Sequence, residues 1–158
     1  MTELDTATIE PGLEQLPAQA AELLSGQQDL VANAANLSAL LFYALEEVNW
    51  VGFYFLKGGK LVVGPFQGRP ACVSIPVGKG VCGTVAETRK VLRVADVNAF
   101  EGHIACSAES RSEIVLPLIR NDELIGVLDL DSPVKNRFGN EDEQLLQKIA
   151  HIIIQSLG

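Results

Sequence analysis

The chain has 158 residues, 47% of them hydrophobic and 20% charged, the size and composition of one compact domain with a core of its own. Lys and Arg number 12 against 20 Asp and Glu, a formal net charge of −8. So acidic a surface excludes sequence-independent binding of nucleic acid, which needs cations to displace counterions, and it excludes docking on an anionic membrane.

The start of the chain carries Glu3 and Asp5 where a secretory leader needs Lys or Arg. The longest apolar run, Ala39 to Leu45, falls far short of the roughly 20 residues of a membrane span. These features predict a cytoplasmic protein. Three cysteines in a reducing compartment favour catalytic, redox, metal or plain packing roles over a disulfide framework.

Residues 1–10 read as a flexible tail and 11–158 as a single domain. Leu13 to Leu24 fits a short helix if Pro17 sits in its first turn, with Gly26 closing it. Asp29 is placed to cap a second helix with the stripe Leu30, Val31, Ala34, Leu37, Leu40, Leu41 and Leu45. The period then changes. Trp50 to Leu56 reads as a strand, joined to Leu61–Val63 through Gly58-Gly59, a two-residue hairpin signal. Val73–Ile75 is a further strand. Gly78, Gly80 and Gly83 punctuate a turn before a short helix at about Gly83 to Thr88, and Val91–Val94 is a short strand. The stretch from Asp96 to Ser112 is polar and without period, so it reads as a functional loop or lid. Ile114–Ile119 and Leu124–Leu130 form a second hairpin about Asn121-Asp122. Asn140 caps the closing helix, with Glu143 completing a capping box and Leu145, Leu146, Ile149, Ile152 and Ile153 facing the core. The order of elements predicts an α+β fold: an antiparallel sheet of about six strands with helices packed on one side.

Cys72 opens a strand, Cys82 lies in the glycine-rich turn, and Cys106 lies in the long loop. Cysteines kept for packing usually sit in mid-element on an apolar face. Thiols at loop ends suit redox exchange, in which one thiolate attacks and a second resolves the product as a disulfide. Three inert small hydrophobes is the alternative. Zinc held with His103 is disfavoured, because no pair has the short spacing of a structural knuckle. N–H groups at the start of the short helix can stabilise a Cys82 thiolate, and His103 and Arg111 stand near Cys106 in sequence.

Asp129 and Asp131, two apart, share one face of their strand. Pairing of the second hairpin brings Glu113 to the same end. Carboxylates so crowded keep a proton or hold a cation, unless they are merely solvated strand-end acids. Trp50 and Tyr54, four apart, also share a face and supply either core packing or an apolar wall for a small ligand.

Seven segments carry a family resemblance: Asn49-Trp50-Val51-Gly52-Phe53-Tyr54, Leu61 to Gly68, Pro70-Ala71-Cys72, Gly78 to Gly83, Gly102 to Cys106, Ser112 to Val115, and Leu128 to Ser132. From about Leu30 onward the chain resembles the free methionine-(R)-sulfoxide reductases, which are single GAF domains. The resemblance implies a GAF-like antiparallel sheet, thiol-dependent reduction of the R-sulfoxide of free methionine, recycling by thioredoxin, and no cofactor or metal. It implies Cys106 as the nucleophile, Cys72 as the resolving thiol and Cys82 as a second exchange partner. Trp50 then packs against the substrate methyl group, while Glu113, Asp129 and Asp131 line the polar end. A carboxyl group that keeps its proton can hydrogen-bond the sulfoxide oxygen, and a carboxylate can hold the ammonium group that a peptide-bound methionine lacks. The rival reading is a GAF sensor of a small molecule or of redox state, without turnover. The oligomeric state is left open, a homodimer included.

Overall fold

The computed structural model describes residues 13–102 and 109–158. Stretches rich in aromatic and β-branched residues form six strands: β1 (Trp50–Lys57), β2 (Lys60–Gly68), β3 (Ser74–Pro76), β4 (Leu92–Val94), β5 (Ser112–Arg120) and β6 (Glu123–Ser132). They make one antiparallel sheet in the order β3-β2-β1-β6-β5-β4. Gly58 and Gly59 both take positive φ (+59° and +77°) at the β1–β2 turn, as a tight hairpin twisting with its strands requires. Asn121 and Asp122 do the same at the β5–β6 turn, with φ of 51° and 65°.

The central strands are apolar on both faces because both faces are covered. On one, Val51, Phe53, Phe55, Ile114, Leu116, Leu128 and Leu130 are buried beneath α1 (Leu16–Leu24), α2 (Leu30–Ala44) and α4 (Asn140–Ser156). Each large side chain so buried contributes about 1.5–3 kcal/mol. This is the expected helical layer. The other face carries the short α3 (Gly80–Thr88), whose Val81, Val85 and Ala86 pack with Val115 and Val127 in a second, smaller cluster.

The expected helix signals operate, with two displacements. Pro17 lies in the first turn of α1, and Gly26 follows the helix with φ +74°. Asp29 caps α2, its Oδ1 accepting from the Ala32 N–H at 2.8 Å. At α4 the cap falls one residue earlier than Asn140: Gly139 is the N-cap, and its N–H donates to Asp142 Oδ2 at 2.8 Å. Asn140 and Glu143 instead hold Arg93 of β4, through Nη2 to Oδ1 at 2.8 Å and Nε to Oε1 at 3.0 Å. The second displacement is at α3, which begins at Gly80, so Cys82 belongs to the first turn of a helix and not to a preceding turn. Of the expected loop at 96–112, Val97–Ala99 form a 3-10 turn capped by Asp96, and residues 103–108 lie outside the described part.

Replacing Asp29 by Ala removes one cap hydrogen bond and should lower stability by about 1 kcal/mol. For a chain of this length that is a fall in Tm of about 2–4 °C, readable by calorimetry, and Asp29→Asn should restore most of it. An unchanged Tm for Asp29→Ala would show that packing alone fixes the start of α2.

Candidate active site

Strand register assembles the site. Gly68, Trp50, Asp131, Glu113 and Val94 lie in one row across β2, β1, β6, β5 and β4. Phe66, Gly52, Asp129, Val115 and Leu92 form the next row on the same face. The period of two turns Trp50, Tyr54, Glu113, Asp129 and Asp131 toward α3; the sequence places Asp129 with Asp131 and Trp50 with Tyr54 on shared faces, and the strand register joins the two sets.

Gly52 makes room for the indole. A Cβ there would stand 2.7 Å from Trp50 Cη2 and 2.3 Å from Phe66 Cβ. The Trp50 ring stacks on Phe66 (centroids 5.2 Å apart) and on Tyr54 (5.8 Å), and its Nε1 donates to the Arg69 carbonyl at 3.0 Å. It is a fixed aromatic wall, held by packing and by a hydrogen bond.

This wall and the three acids line one cavity of about 60 Å³, together with Cys82 of α3. Sequence reasoning missed four further lining residues with polar side chains: Asn49, Arg69, Glu109 and Ser110. Arg69 Nη1 and Glu109 Oε1 form an exposed ion pair of 3.1 Å at the rim. Asn49 adjoins Trp50, the one sequence signal that pointed toward it. Three buried side-chain atoms have no hydrogen-bond partner among the described residues, and all three belong to residues lining this cavity: Asn49 Oδ1, Ser110 Oγ and Asp129 Oδ1. Each costs about 1–3 kcal/mol unless a ligand or water satisfies it. The Asn49 and Asp129 oxygens accept hydrogen bonds, so they call for a ligand that donates.

Glu113 and Asp129 are buried, 7% and 4% exposed, and Asp131 is half-buried. Burial raises the pKa of all three well above the ordinary values, and the neighbouring carboxylates add to it: Asp129 for Glu113, Asp131 for Asp129, Glu113 for Asp131. Burial likewise raises the Tyr54 phenol, with Asp129 next in effect.

Cys82 departs from expectation. It is buried, and its thiol lies 3.9 Å from Glu113 Oε2. Burial, then Asp129 and Glu113, push the thiol well above its ordinary pKa. Loss of solvation and nearby carboxylates outweigh the partial positive charge at the start of α3, so the expected thiolate is replaced by a neutral thiol. Cys72 is disulfide-bonded and follows Ala71, which lines the cavity; it precedes β3 instead of opening it. Cys106 and His103 lie outside the described residues. Cys82, Glu113 and Asp129 are the described groups able to converge on a metal ion, with ligand atoms within 4.8 Å of one another.

The family model described as GAF domain matches residues 19–157. The free methionine-R-sulfoxide reductase of Escherichia coli is 54% identical over 127 residues, covering 80% of this chain and 77% of that protein. A structure of fRMsr from Staphylococcus aureus in complex with substrate is 46% identical, with a TM-score of 0.90 over 99% of this chain and 100% of that one. The free methionine-R-sulfoxide reductase of Neisseria meningitidis, also in complex with its substrate, is 38% identical, with a TM-score of 0.89 over 99% and 93% of the two chains. This chain is a GAF-domain protein and belongs to the free methionine-R-sulfoxide reductase family. Among the described residues no helix is long and apolar enough to cross a membrane.

The raised carboxyl groups set a pH dependence. Above the ordinary values of 3.8 for Asp and 4.5 for Glu, the unfolded chain loses protons that the folded site still holds. Stability should therefore be greatest below those values and fall as pH rises toward the folded ones. Urea midpoints measured from about pH 4 to about pH 8 should show this decline, and Asp129→Asn or Glu113→Gln should flatten it. The same slope in both variants would assign it to other groups.

Proposed function

We propose that the chain reduces the R-sulfoxide of free methionine to methionine by thiol chemistry. The observation that carries this reading is the composition of the cavity: a fixed indole wall, buried carboxyl groups, and acceptor oxygens of Asn49 and Asp129 without a hydrogen-bond partner among the described residues. That set matches a ligand with an apolar methyl group, a donating ammonium group and an oxygen that accepts a proton.

In this reading Trp50 and Tyr54 receive the methylsulfinyl end, and Asp129 and Asn49 accept hydrogen bonds from the ammonium group. Glu113 or Asp131, its proton retained by burial, donates toward the sulfoxide oxygen. The Cys106 thiolate attacks the sulfoxide sulfur. Oxygen passes to Cys106 as a sulfenic acid, and methionine is released. The Cys72 thiol then condenses with the sulfenic acid, and the oxygen leaves as water. Its oxidised state here fits this resolving role. A dithiol returns both cysteines to thiols with two electrons, and thioredoxin is the reductant we assign. Cys82 remains a second exchange partner, but a slow one, because exchange runs through the thiolate and its thiol is held neutral.

Racemic free methionine sulfoxide with excess dithiol tests the reading directly. Loss of the R epimer alone is the expected result; loss of neither would favour a sensor without turnover. Cys106→Ser should release no methionine even in a single turnover. Cys72→Ser should keep its first turnover and lose efficient recycling, and a lost first turnover would contradict a purely resolving role. Trp50→Ala should raise KM about 10-fold or more, as expected for removing an apolar wall, whereas unchanged kinetics would make the indole a scaffold residue only.

A further inference from the structure

Slow thiol exchange does not account for the position of Cys82. Its sulfur is buried at the anionic end of the cavity, supplied by α3 from above the sheet, opposite carboxyl groups of β5 and β6. We propose that Cys82, Glu113 and Asp129 form a binding site for a thiophilic divalent cation of the zinc class, which occupies the cavity when no organic ligand is there.

The geometry suits such an ion. One ligand atom from each residue lies within 4.8 Å of the other two, and all three residues are buried. Tetrahedral zinc spaces sulfur and oxygen ligands about 3.5 Å apart. Cys82 Sγ and Glu113 Oε2 stand 3.9 Å apart, so small side-chain rotations close the set. A second observation points to a ligand independently of the cluster. Ser110 Oγ, in a residue 7% exposed, has no partner among the described residues and belongs to the same cavity. It can hydrogen-bond a water in the fourth position that three protein ligands leave open. Asp129 Oδ1, in a residue 4% exposed, is also unpartnered.

The donor set selects the metal. A sulfur ligand favours zinc, cadmium or cobalt over magnesium and calcium, which take oxygen ligands in larger or octahedral shells. On binding, the Cys82 proton and those that burial holds on Glu113 and Asp129 leave to solvent, and three anionic ligands face a dication. This site differs from the knuckle that the cysteine spacing disfavours: it uses one cysteine, and its ligands come from three separate elements.

Cobalt(II) chloride is the probe. The full chain is kept oxidised, with Cys72 in its disulfide, so that Cys82 is the free cysteine among the described residues. A thiolate-to-cobalt charge-transfer absorption should grow to one equivalent and be abolished by excess zinc chloride. Cys82→Ser, a one-atom change, should lose the band. Should that variant fail to fold, Asp129→Asn serves, and its band should saturate only at higher cobalt. No band in the parent chain, a band surviving in Cys82→Ser, or unchanged saturation in Asp129→Asn would each overturn the site. Turnover of free methionine sulfoxide, assayed without metal, reports separately on the reductase reading.

Discussion

Carboxyl groups taken out of water on one face of a β-sheet govern this molecule. A buried acid is tolerated when it keeps its proton, finds a cation, or accepts enough hydrogen bonds. Glu113, Asp129 and Asp131 stand too close together for all three to ionise cheaply, and Asp129 Oδ1 lacks a hydrogen-bond partner among the described residues. The residues of the site therefore carry an unmet demand for protons and donors. A ligand that meets this demand gains what the free protein lacks, and one that does not is rejected.

Holding such a site requires a stiff support, which the opposite face supplies. Every residue that points an acid or an aromatic ring into the cavity alternates with one buried in the helical layer: Val51 beside Trp50, Phe53 beside Tyr54, Ile114 beside Glu113, Leu128 and Leu130 beside Asp129. These neighbours are 0% exposed. A slip of one residue in register would exchange the two sets and bury acids under the helices, so the apolar layer fixes the position of the polar one.

How much of this was legible follows from which interactions are local. The pairing of Glu113 with Asp131 and of Trp50 with Gly68 depends on register shifts between Leu118 and Ile119 and between Gly52 and Tyr54. That period two and the Asn121-Asp122 turn bring Glu113 to the end of the hairpin that holds Asp129 and Asp131 was nonetheless readable. The setting of Cys82 was not. Gly80 and Gly83 look like turn residues, yet both lie in α3. Gly83 is there for close approach: a Cβ would stand 2.5 Å from the Pro76 carbonyl oxygen. A glycine needed for a tertiary contact has the same appearance in sequence as one needed for a turn. The α4 cap was misplaced for a similar reason, since Arg93 of β4 takes both Asn140 and Glu143. Asn49 and Ser110 join the cavity from the segments that lead into β1 and β5, and no spacing in the chain announces their meeting.

The proposed substrate and the proposed metal answer one electrostatic requirement in different ways. The ammonium group of a free amino acid brings one positive charge with three donors, suited to acceptor oxygens spread over Asn49 and Asp129. A divalent cation brings twice the charge to a point and needs ligands that converge, a set that the sulfur of Cys82 completes among the described residues. A residue within a peptide brings neither, because its nitrogen is an uncharged amide with one donor. Placed in this cavity it would leave the acids without a counter-charge and lose the stabilisation that the free amino acid gains. On these two proposals, discrimination for the free amino-acid sulfoxide and susceptibility to a thiophilic metal arise from the same group of buried acids.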